Sequence, residues 1–189
     1  MSKRELLLFD KPGPENTDAT LAAARRRAEE LGIRCIVLAT STGETALKAC
    51  AAMQGADIAI VGVTLAAGLW EKYQSPDPDI VARAEAAGAK FLTATHTLMG
   101  NVESALHAKF GGIPPVEIIA HTYYTLGQGM KVAVEVAMMA ADAGMVPMDG
   151  EIIAAGGSGR GADTAVVLQP AYSTSFFDLR IREIIAMPR

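Results

Sequence analysis

Aromatic residues are scarce in this sequence, at 5% of its 189 residues, whereas 50% of the residues are hydrophobic. Small and aliphatic side chains allow helices to lie close to a sheet, so this composition favours an α/β fold over a β-sandwich with a bulky core. Charged residues make up 20% of the chain, and no linker-like stretch divides it. We therefore expect residues 1–189 to form a single domain, and the composition excludes intrinsic disorder.

Positive charge is also in short supply, because the formal net charge is -4 and the pI is near 5.4. A domain that binds nucleic acid usually carries a basic surface, so these values exclude that class of partner. The one basic run, Arg25–Arg27, lies in a helical pattern beside Glu29 and Glu30. We interpret this run as the solvated face of a helix.

Only two cysteines are present, Cys35 and Cys50, and each lies in an apolar stretch without the spacing of a metal site. We expect both to be reduced core residues, and we expect no bound metal. No window of about 18 residues is free of charge, and the segment Met1–Glu5 lacks the features of a secretory signal. These absences predict a cytoplasmic protein with no membrane partner.

Strand and helix patterns alternate along the first half of the chain. Apolar runs predict strands at Glu5–Phe9, Cys35–Ala39, Asp57–Val63, Phe91–Ala94, Ile152–Ala155, Ala165–Leu168 and Ile184–Met187. Helical spacing predicts helices from the cap Asn16 to Gly32, over Thr42–Met53, from the cap Asp77 to Gly88, and over Gly100–Phe110, Pro115–Leu126 and Gly129–Ala143.

This alternation predicts a three-layer α/β fold with a doubly wound, mostly parallel sheet, to which the C-terminal strands add a mixed or antiparallel edge. The last predicted helix, Gly129–Ala143, is nearly all apolar. We interpret it as a core helix without a chemical function.

The turn after the second strand is the first candidate for a binding site, because ligands of parallel sheets bind at the carboxyl ends of the strands. It consists of Thr40, Ser41, Thr42, Gly43, Glu44 and Thr45. Its hydroxyl groups surround a helix N-terminus, where free amides and the helix dipole favour an anion, and Gly43 allows a ligand to approach the backbone. Alternatively, Ser41 and Glu44 have the spacing of a capping box, which would satisfy the same amides internally. The residues leave both interpretations open.

A glycine-rich loop after the fifth strand is the second candidate. Four glycines in the six residues 156–161 permit a concave run of amides that can bind an anion. Arg160 is a better source of positive charge than Lys11 or Lys48. A flexible turn is the alternative interpretation, and the spacing is not that of a dinucleotide fingerprint. The candidate contacts in this loop are Gly157, Arg160, Gly161, Asp163 and Thr164.

His96 is the one candidate catalytic residue, because it directly follows the predicted fourth strand. It can act as an acid, a base or a donor to a ligand, and a simple structural hydrogen bond is the alternative. Thr64 opens the turn after the third strand, and Trp70 and Tyr73 follow in the same loop. These two rings either stack on a flat ligand or anchor the loop. No pair of carboxylates indicates an acid–base site.

The run Thr40-Ser41-Thr42-Gly43-Glu44-Thr45-Ala46 resembles the effector-phosphate loop in the C-terminal α/β domain of pyruvate kinases. The chain is similar over nearly its whole length to stand-alone proteins of that fold, in the motifs Lys11–Thr17, Gly43–Ala46, Ala140–Asp142, Arg160–Val167 and Phe176–Asp178. The resemblance implies the same sheet, with FMN as the ligand. It implies no pyruvate kinase activity, because the barrel that carries that enzyme's catalytic residues has no counterpart in this sequence.

The resemblance also implies roles for individual residues. The FMN phosphate would lie on the turn Thr40–Thr45, Asn16 and the segment Arg160–Thr164 would offer polar contacts, and His96 would lie near the ring or the ribityl chain. We therefore expect a protein that binds FMN, a class that includes flavin-dependent oxidoreductases. The alternatives are a non-catalytic regulatory module that binds a sugar phosphate or a nucleotide, and a small hydrolase or isomerase that uses His96. A homo-oligomer is compatible with so apolar a chain.

Overall fold

The computed structural model describes residues 5–189. In this range seven strands form one sheet, in the order β1-β7-β6-β5-β2-β3-β4. The strands are β1 (Leu7–Phe9), β2 (Cys35–Ala39), β3 (Ala59–Val63), β4 (Ala89–Leu92), β5 (Ile152–Gly156), β6 (Thr164–Gln169) and β7 (Arg180–Pro188). The helices are α1 (Thr17–Leu31), α2 (Glu44–Ala52), α3 (Pro78–Ala86), α4 (Val102–Phe110), α5 (Pro115–Tyr124) and α6 (Gln128–Asp142). The segment that bears on a secretory signal, residues 1–4, lies outside the described residues.

The sheet is mostly parallel, which confirms the predicted fold class. Strands β5, β2, β3 and β4 run parallel to one another, and β6 pairs antiparallel with both β5 and β7. The C-terminal strands therefore extend one side of the sheet, as predicted. Strand β1 completes that side by pairing parallel with β7, where Leu7 lies opposite Ala186.

Alternate residues of the central strand explain the three layers. On β2, Ile36 and Leu38 pack into the apolar cluster that contains residues of α1 and α2. Cys35 and Val37 point to the other face and pack against α6. Because a strand places successive side chains on opposite faces, the continuous apolar run of β2 buries one helical layer on each side.

Both cysteines are buried and free, as predicted. Burial raises the pKa of the Cys35 thiol to about 11. The expectation for the basic run was wrong at one position, because Arg27 is only 8% exposed. Its guanidinium pairs with Glu30 and Glu183, each at 2.7 Å. A solvated face therefore describes Arg26 but not Arg27.

Two element boundaries differ from the predictions in ways that affect the site. Strand β4 spans Ala89–Leu92 and ends at Leu92 instead of Ala94, because Leu92 lies opposite Val63, the last residue of β3. Helix α2 begins at Glu44 instead of Thr42. His96 lies in the loop after β4, as predicted, but farther from the end of the strand, and the turn before α2 is longer than predicted.

Candidate functional site

A cleft lies at the carboxyl ends of the central strands and consists of two adjoining compartments. The α2 compartment has a volume of about 350 Å³ and is lined by residues that include Ser41, Thr42, Glu44, Thr45, Asp77, Gly157, Arg160 and Gly161. The α6 compartment has a volume of about 900 Å³ and is lined by residues that include Thr40, Thr64, Tyr73, His96, Tyr124, Lys131 and Glu135. Ser41, Gln74 and Arg160 line both compartments, so one ligand can occupy the two together.

The N-terminus of α2 is not closed by a capping box. Gly43 is the N-cap, with φ at +103°, and it has no side chain that could cap the helix. Glu44 is therefore the first helical residue, whereas a capping box requires the acidic residue at the third position. The Oγ1 atom of Thr42 lies 3.4 Å from the amide of Glu44, which is a weak contact. The capping-box interpretation of this turn is therefore wrong, and the anion-site interpretation is the one that remains.

Gly43 is needed for a different reason from the predicted one. A Cβ atom at this position would lie 3.1 Å from Ile80 Cγ2 on α3, and the positive φ already disfavours other residues. Gly43 therefore brings the N-termini of α2 and α3 together, and it does not line either compartment. The Oδ1 atom of Asp77 caps α3 by accepting from the amides of Asp79 at 3.0 Å and Ile80 at 3.3 Å.

The threonines of the two turns are mainly buried. Thr40 is 3% exposed, and its Oγ1 lies 3.4 Å from the amide of Ala46 in the first turn of α2. Thr45 is 6% exposed. Thr64 is 4% exposed, and its hydroxyl lies 2.6 Å from that of Thr93. Ser41 and Thr42 are more accessible than these threonines and are the hydroxyl groups that the α2 compartment presents to a ligand.

The glycine-rich loop is hydrogen-bonded around Asp163, which is fully buried. Its Oδ2 accepts from the amides of Gly13 at 3.2 Å and Ser158 at 3.1 Å, and its Oδ1 accepts from Thr164 Oγ1 at 2.9 Å. These bonds tie the loop to the segment before α1. Asp163 and Thr164 were predicted as ligand contacts, but the structure places them behind the loop, outside both compartments.

Arg160 extends from this loop into the cleft and is exposed. With the Gln74 amide oriented so that its oxygen faces the guanidinium, Arg160 Nη2 donates to that oxygen at 3.0 Å. Lys48, on α2, was another predicted source of positive charge. It pairs with Asp18 at 2.9 Å and does not line the cleft. Arg160 therefore remains the cation of the α2 compartment.

Asn16 lies outside both compartments and does not cap α1 with its side chain. Its Nδ2 donates to the backbone oxygen of Lys11 at 2.8 Å. The backbone of Asn16 is already helical, with φ at -82° and ψ at -9°, whereas a capping residue usually has an extended backbone. The predicted capping role was wrong for this reason.

His96 lines the α6 compartment, and both of its ring nitrogens face protein groups. Nε2 accepts from the amide of Ala66 at 3.2 Å, which assigns the ring proton to Nδ1. Nδ1 lies 3.7 Å from Glu135 Oε1. Burial lowers the pKa of His96, while the nearby Glu135 carboxylate raises it by less. His96 is therefore a neutral residue that orients its neighbours, and Nε2 is not free to take a proton from a ligand.

Sequence reasoning missed the charged pair Lys131 and Glu135 on α6. Both side chains are 5% exposed, and Lys131 Nζ lies 2.5 Å from Glu135 Oε1. Oε2 of Glu135 accepts from the amides of Leu98 at 2.9 Å and Met99 at 3.0 Å. Two opposite charges at i and i+4 in an otherwise apolar helix were the available signal, because isolated charges are rarely placed on a buried face.

Aromatic rings form part of the wall of the α6 compartment. Tyr73 is 59% exposed, whereas Tyr124 is partly buried and its hydroxyl lies 3.6 Å from Met99 Sδ. Burial raises the pKa of Tyr124, and Glu135 and Tyr73 raise it further. Trp70 is not part of this wall, since its Nε1 donates to the backbone oxygen of Leu65 at 2.8 Å. Of the two predicted rings, Tyr73 lines the cleft and Trp70 anchors the loop.

The arrangement is suited to binding a ligand with an anionic end and a flat end. The α2 compartment offers a helix N-terminus, two hydroxyl groups and a guanidinium. The α6 compartment offers rings, apolar side chains and a buried ammonium group. Within residues 5–189, no three His, Cys, Asp or Glu side chains form a cluster that could hold a metal ion. None of the helices in the same range combines the length and hydropathy required to cross a bilayer.

Comparisons with known proteins identify the family of this chain. Two crystal structures of pyruvate kinase from Cryptosporidium parvum are similar to this chain, at 14% and 13% identity and with TM-scores of 0.43 and 0.41. The matches cover 82% and 85% of this chain and 23% of each pyruvate kinase, so the chain spans about a quarter of their length. A family model described as "Pyruvate kinase, alpha/beta domain" matches residues 18–168. The chain therefore belongs to the pyruvate kinase alpha/beta domain family.

Proposed function

We propose that the cleft binds a phosphate-bearing ligand, and that this ligand is FMN. The observation that carries the proposal is the continuity of the two compartments, which share Ser41, Gln74 and Arg160. A ligand that fits such a cleft has its phosphate beside the N-terminus of α2 and its ring in the α6 compartment. The sequence resemblance to stand-alone proteins of this fold names FMN as a ligand of that type.

The chemistry of the α2 compartment suits a phosphate. The dipole of α2 favours an anion at its N-terminus, where the amides of Glu44 and Ala46 make only weak contacts, at 3.4 Å, with threonine hydroxyl oxygens. Ser41 and Thr42 can donate through their hydroxyl groups, and the guanidinium of Arg160 has the planar geometry that phosphate oxygens accept. Glu44 opposes an anion, because its carboxylate is exposed and lines the same compartment. The phosphate therefore depends on Arg160 to offset this charge.

The α6 compartment suits a flat, largely uncharged ring. Its volume of about 900 Å³ lies in the usual range of about 300–1,000 Å³ for small-molecule sites. Tyr73, Tyr124, Val132 and Met139 supply aromatic and apolar contacts. FMN bound there would supply electron or hydride transfer. The protein's own part in this account is to bind and orient the ligand, and pyruvate kinase activity is not proposed.

A regulatory module that binds a sugar phosphate or a nucleotide is the second candidate. One observation favours it, namely that the α2 compartment, at about 350 Å³, contains the phosphate-binding groups without help from the α6 compartment. A ligand confined to this compartment would leave Tyr124 and Lys131 without a role.

Titration of the protein with FMN, riboflavin, a sugar phosphate and AMP distinguishes these candidates. We expect FMN to bind most tightly. We also expect Arg160→Gln to lower the affinity for FMN more than the affinity for riboflavin, since riboflavin lacks the phosphate. Lys48→Gln is the matched control, because Lys48 is a cation on α2 that does not line the cleft. Tight binding of sugar phosphates with none of FMN would support the regulatory module and contradict the proposal.

A further inference from the structure

Lys131 has N–H groups that no protein atom accepts within the described residues. Its side chain is 5% exposed and makes one hydrogen bond there, to Glu135 Oε1. The ammonium group also lies 6.0 Å from the centre of the Tyr124 ring. An ammonium group has three donors, and leaving buried donors unpaired is costly. Because Lys131 lines the α6 compartment, its remaining donors are available to a ligand there.

Glu135 is fixed so firmly that it holds the ammonium group in place. Its Oε2 is occupied by the amides of Leu98 and Met99, and its Oε1 lies close to both Lys131 and His96. These contacts come from the loop after β4 and from α6 itself. Lys131 is therefore preorganised, and a ligand need not order a flexible side chain in order to bind.

The charge balance around Lys131 selects the type of acceptor. Lys131 and Glu135 form a pair with no net charge, and the adjacent His96 is neutral. An anionic ligand group bound to Lys131 would lie close to the Glu135 carboxylate, and like charges at short distance repel each other. A neutral carbonyl oxygen accepts the ammonium hydrogen bond without that penalty.

We infer that Lys131 donates a hydrogen bond to a neutral carbonyl oxygen on the ring of the ligand, at the end opposite the phosphate. The inference rests on the proposed function and deepens it, because it names a carbonyl-bearing heterocycle as the class of ligand. A sugar phosphate confined to the α2 compartment does not reach Lys131, which lines the α6 compartment. Glu135 and His96 act through Lys131 as positioning residues.

Binding of FMN and of ribitol 5-phosphate, which lacks the ring, tests this inference in the full-length protein. We expect Lys131→Met to lower the affinity for FMN by about tenfold or more, which is the value of a hydrogen bond to a charged group. The affinity for ribitol 5-phosphate should be unchanged. The visible absorption band of bound FMN should also shift, since removal of a charge beside a ring carbonyl changes the chromophore. Lys48→Met is the control and should bind both ligands like the native protein.

Loss of the ion pair can unfold the protein, so a second variant accompanies the first. Lys131→Met combined with Glu135→Gln leaves no unpaired charge and keeps an oxygen for the amides of Leu98 and Met99. We expect this double variant to be folded and to show the same loss of FMN affinity. Equal affinity for FMN in the native protein and in a folded Lys131 variant would overturn this inference and leave the proposed function intact. Failure of the native protein to bind FMN would overturn the proposed function, and this inference with it.

Discussion

The ammonium group of Lys131 lies 2.5 Å from Glu135 Oε1, one helical turn away on α6, and both side chains are 5% exposed. Charges this well buried are tolerated only when they are paired and hydrogen-bonded. The pair also lines the α6 compartment, the larger of the two. The buried charges that cost stability are therefore accessible to a ligand.

Breaking the pair on one side should strongly destabilise the fold. Glu135→Ala removes the partner of Lys131 and the acceptor for two amides, and we expect it to lower the free energy of unfolding by about 3–5 kcal/mol. The double variant Lys131→Met with Glu135→Gln should lose much less. Urea unfolding measures both, and equal losses in the two variants would contradict the role assigned to the pair.

His96 should make stability depend on pH. Burial lowers its pKa in the folded protein below the ordinary value of 6.5, so the unfolded chain binds this proton more readily. Its contribution to stability is therefore complete above about pH 6.5 and is lost as the pH falls through the folded-state pKa. Urea unfolding between about pH 7 and pH 5 should show a smaller pH dependence for His96→Gln than for the native protein. An unchanged dependence would show that other groups cause it.

The glycine-rich loop should not tolerate a side chain at Gly161. A Cβ atom there would lie 2.3 Å from Thr17 Oγ1 and 2.8 Å from Pro14 Cα, and φ is +67°. Gly159 has a similar φ, at +89°, but open space around it. We expect Gly161→Ala to destabilise the protein by about 1–3 kcal/mol more than Gly159→Ala, because only the first substitution adds a steric clash. Thermal unfolding compares them, and equal melting temperatures would contradict this packing.

Removing the charge of Glu44 should improve binding of a phosphate. Its carboxylate lines the α2 compartment, where it repels an anion. We expect Glu44→Gln to raise the affinity for FMN by about two- to fivefold, in keeping with the modest energy of exposed charges. The affinity for riboflavin should be unchanged. Glu85→Gln, on the exposed surface of α3, is the control. Weaker FMN binding by Glu44→Gln would mean that Glu44 contacts the ligand directly.

Much of the fold could be predicted from local patterns. The apolar run Cys35–Ala39 marks β2 because a central strand is buried on both faces, and Asp77 followed by Pro78 marks the start of α3. The end of β4 could not be placed so well. Its register with β3 decides where it starts and ends, and pairing across a sheet is not encoded in a short stretch of sequence.

The site was less accessible to such reasoning. Residues of the two loops were identified from their types, and Ser41, Thr42, Arg160 and His96 do line the cleft. The sequence does not distinguish Asp163 from these cleft-lining residues, because its hydrogen bond with Gly13 spans 150 residues and depends on the completed fold. Lys131 and Glu135 lie in a helix whose apolar character led to its assignment as core.

Retention of FMN by the purified protein decides whether the cleft is a flavin-binding site. The protein is incubated with FMN, freed of unbound ligand, and its visible absorption spectrum is recorded beside that of Arg160→Gln. We expect the native protein to keep a flavin absorption band and the variant to keep much less of it. A colourless native protein that binds no FMN in titration, while sugar phosphates raise its melting temperature, would show that the cleft is not a flavin-binding site.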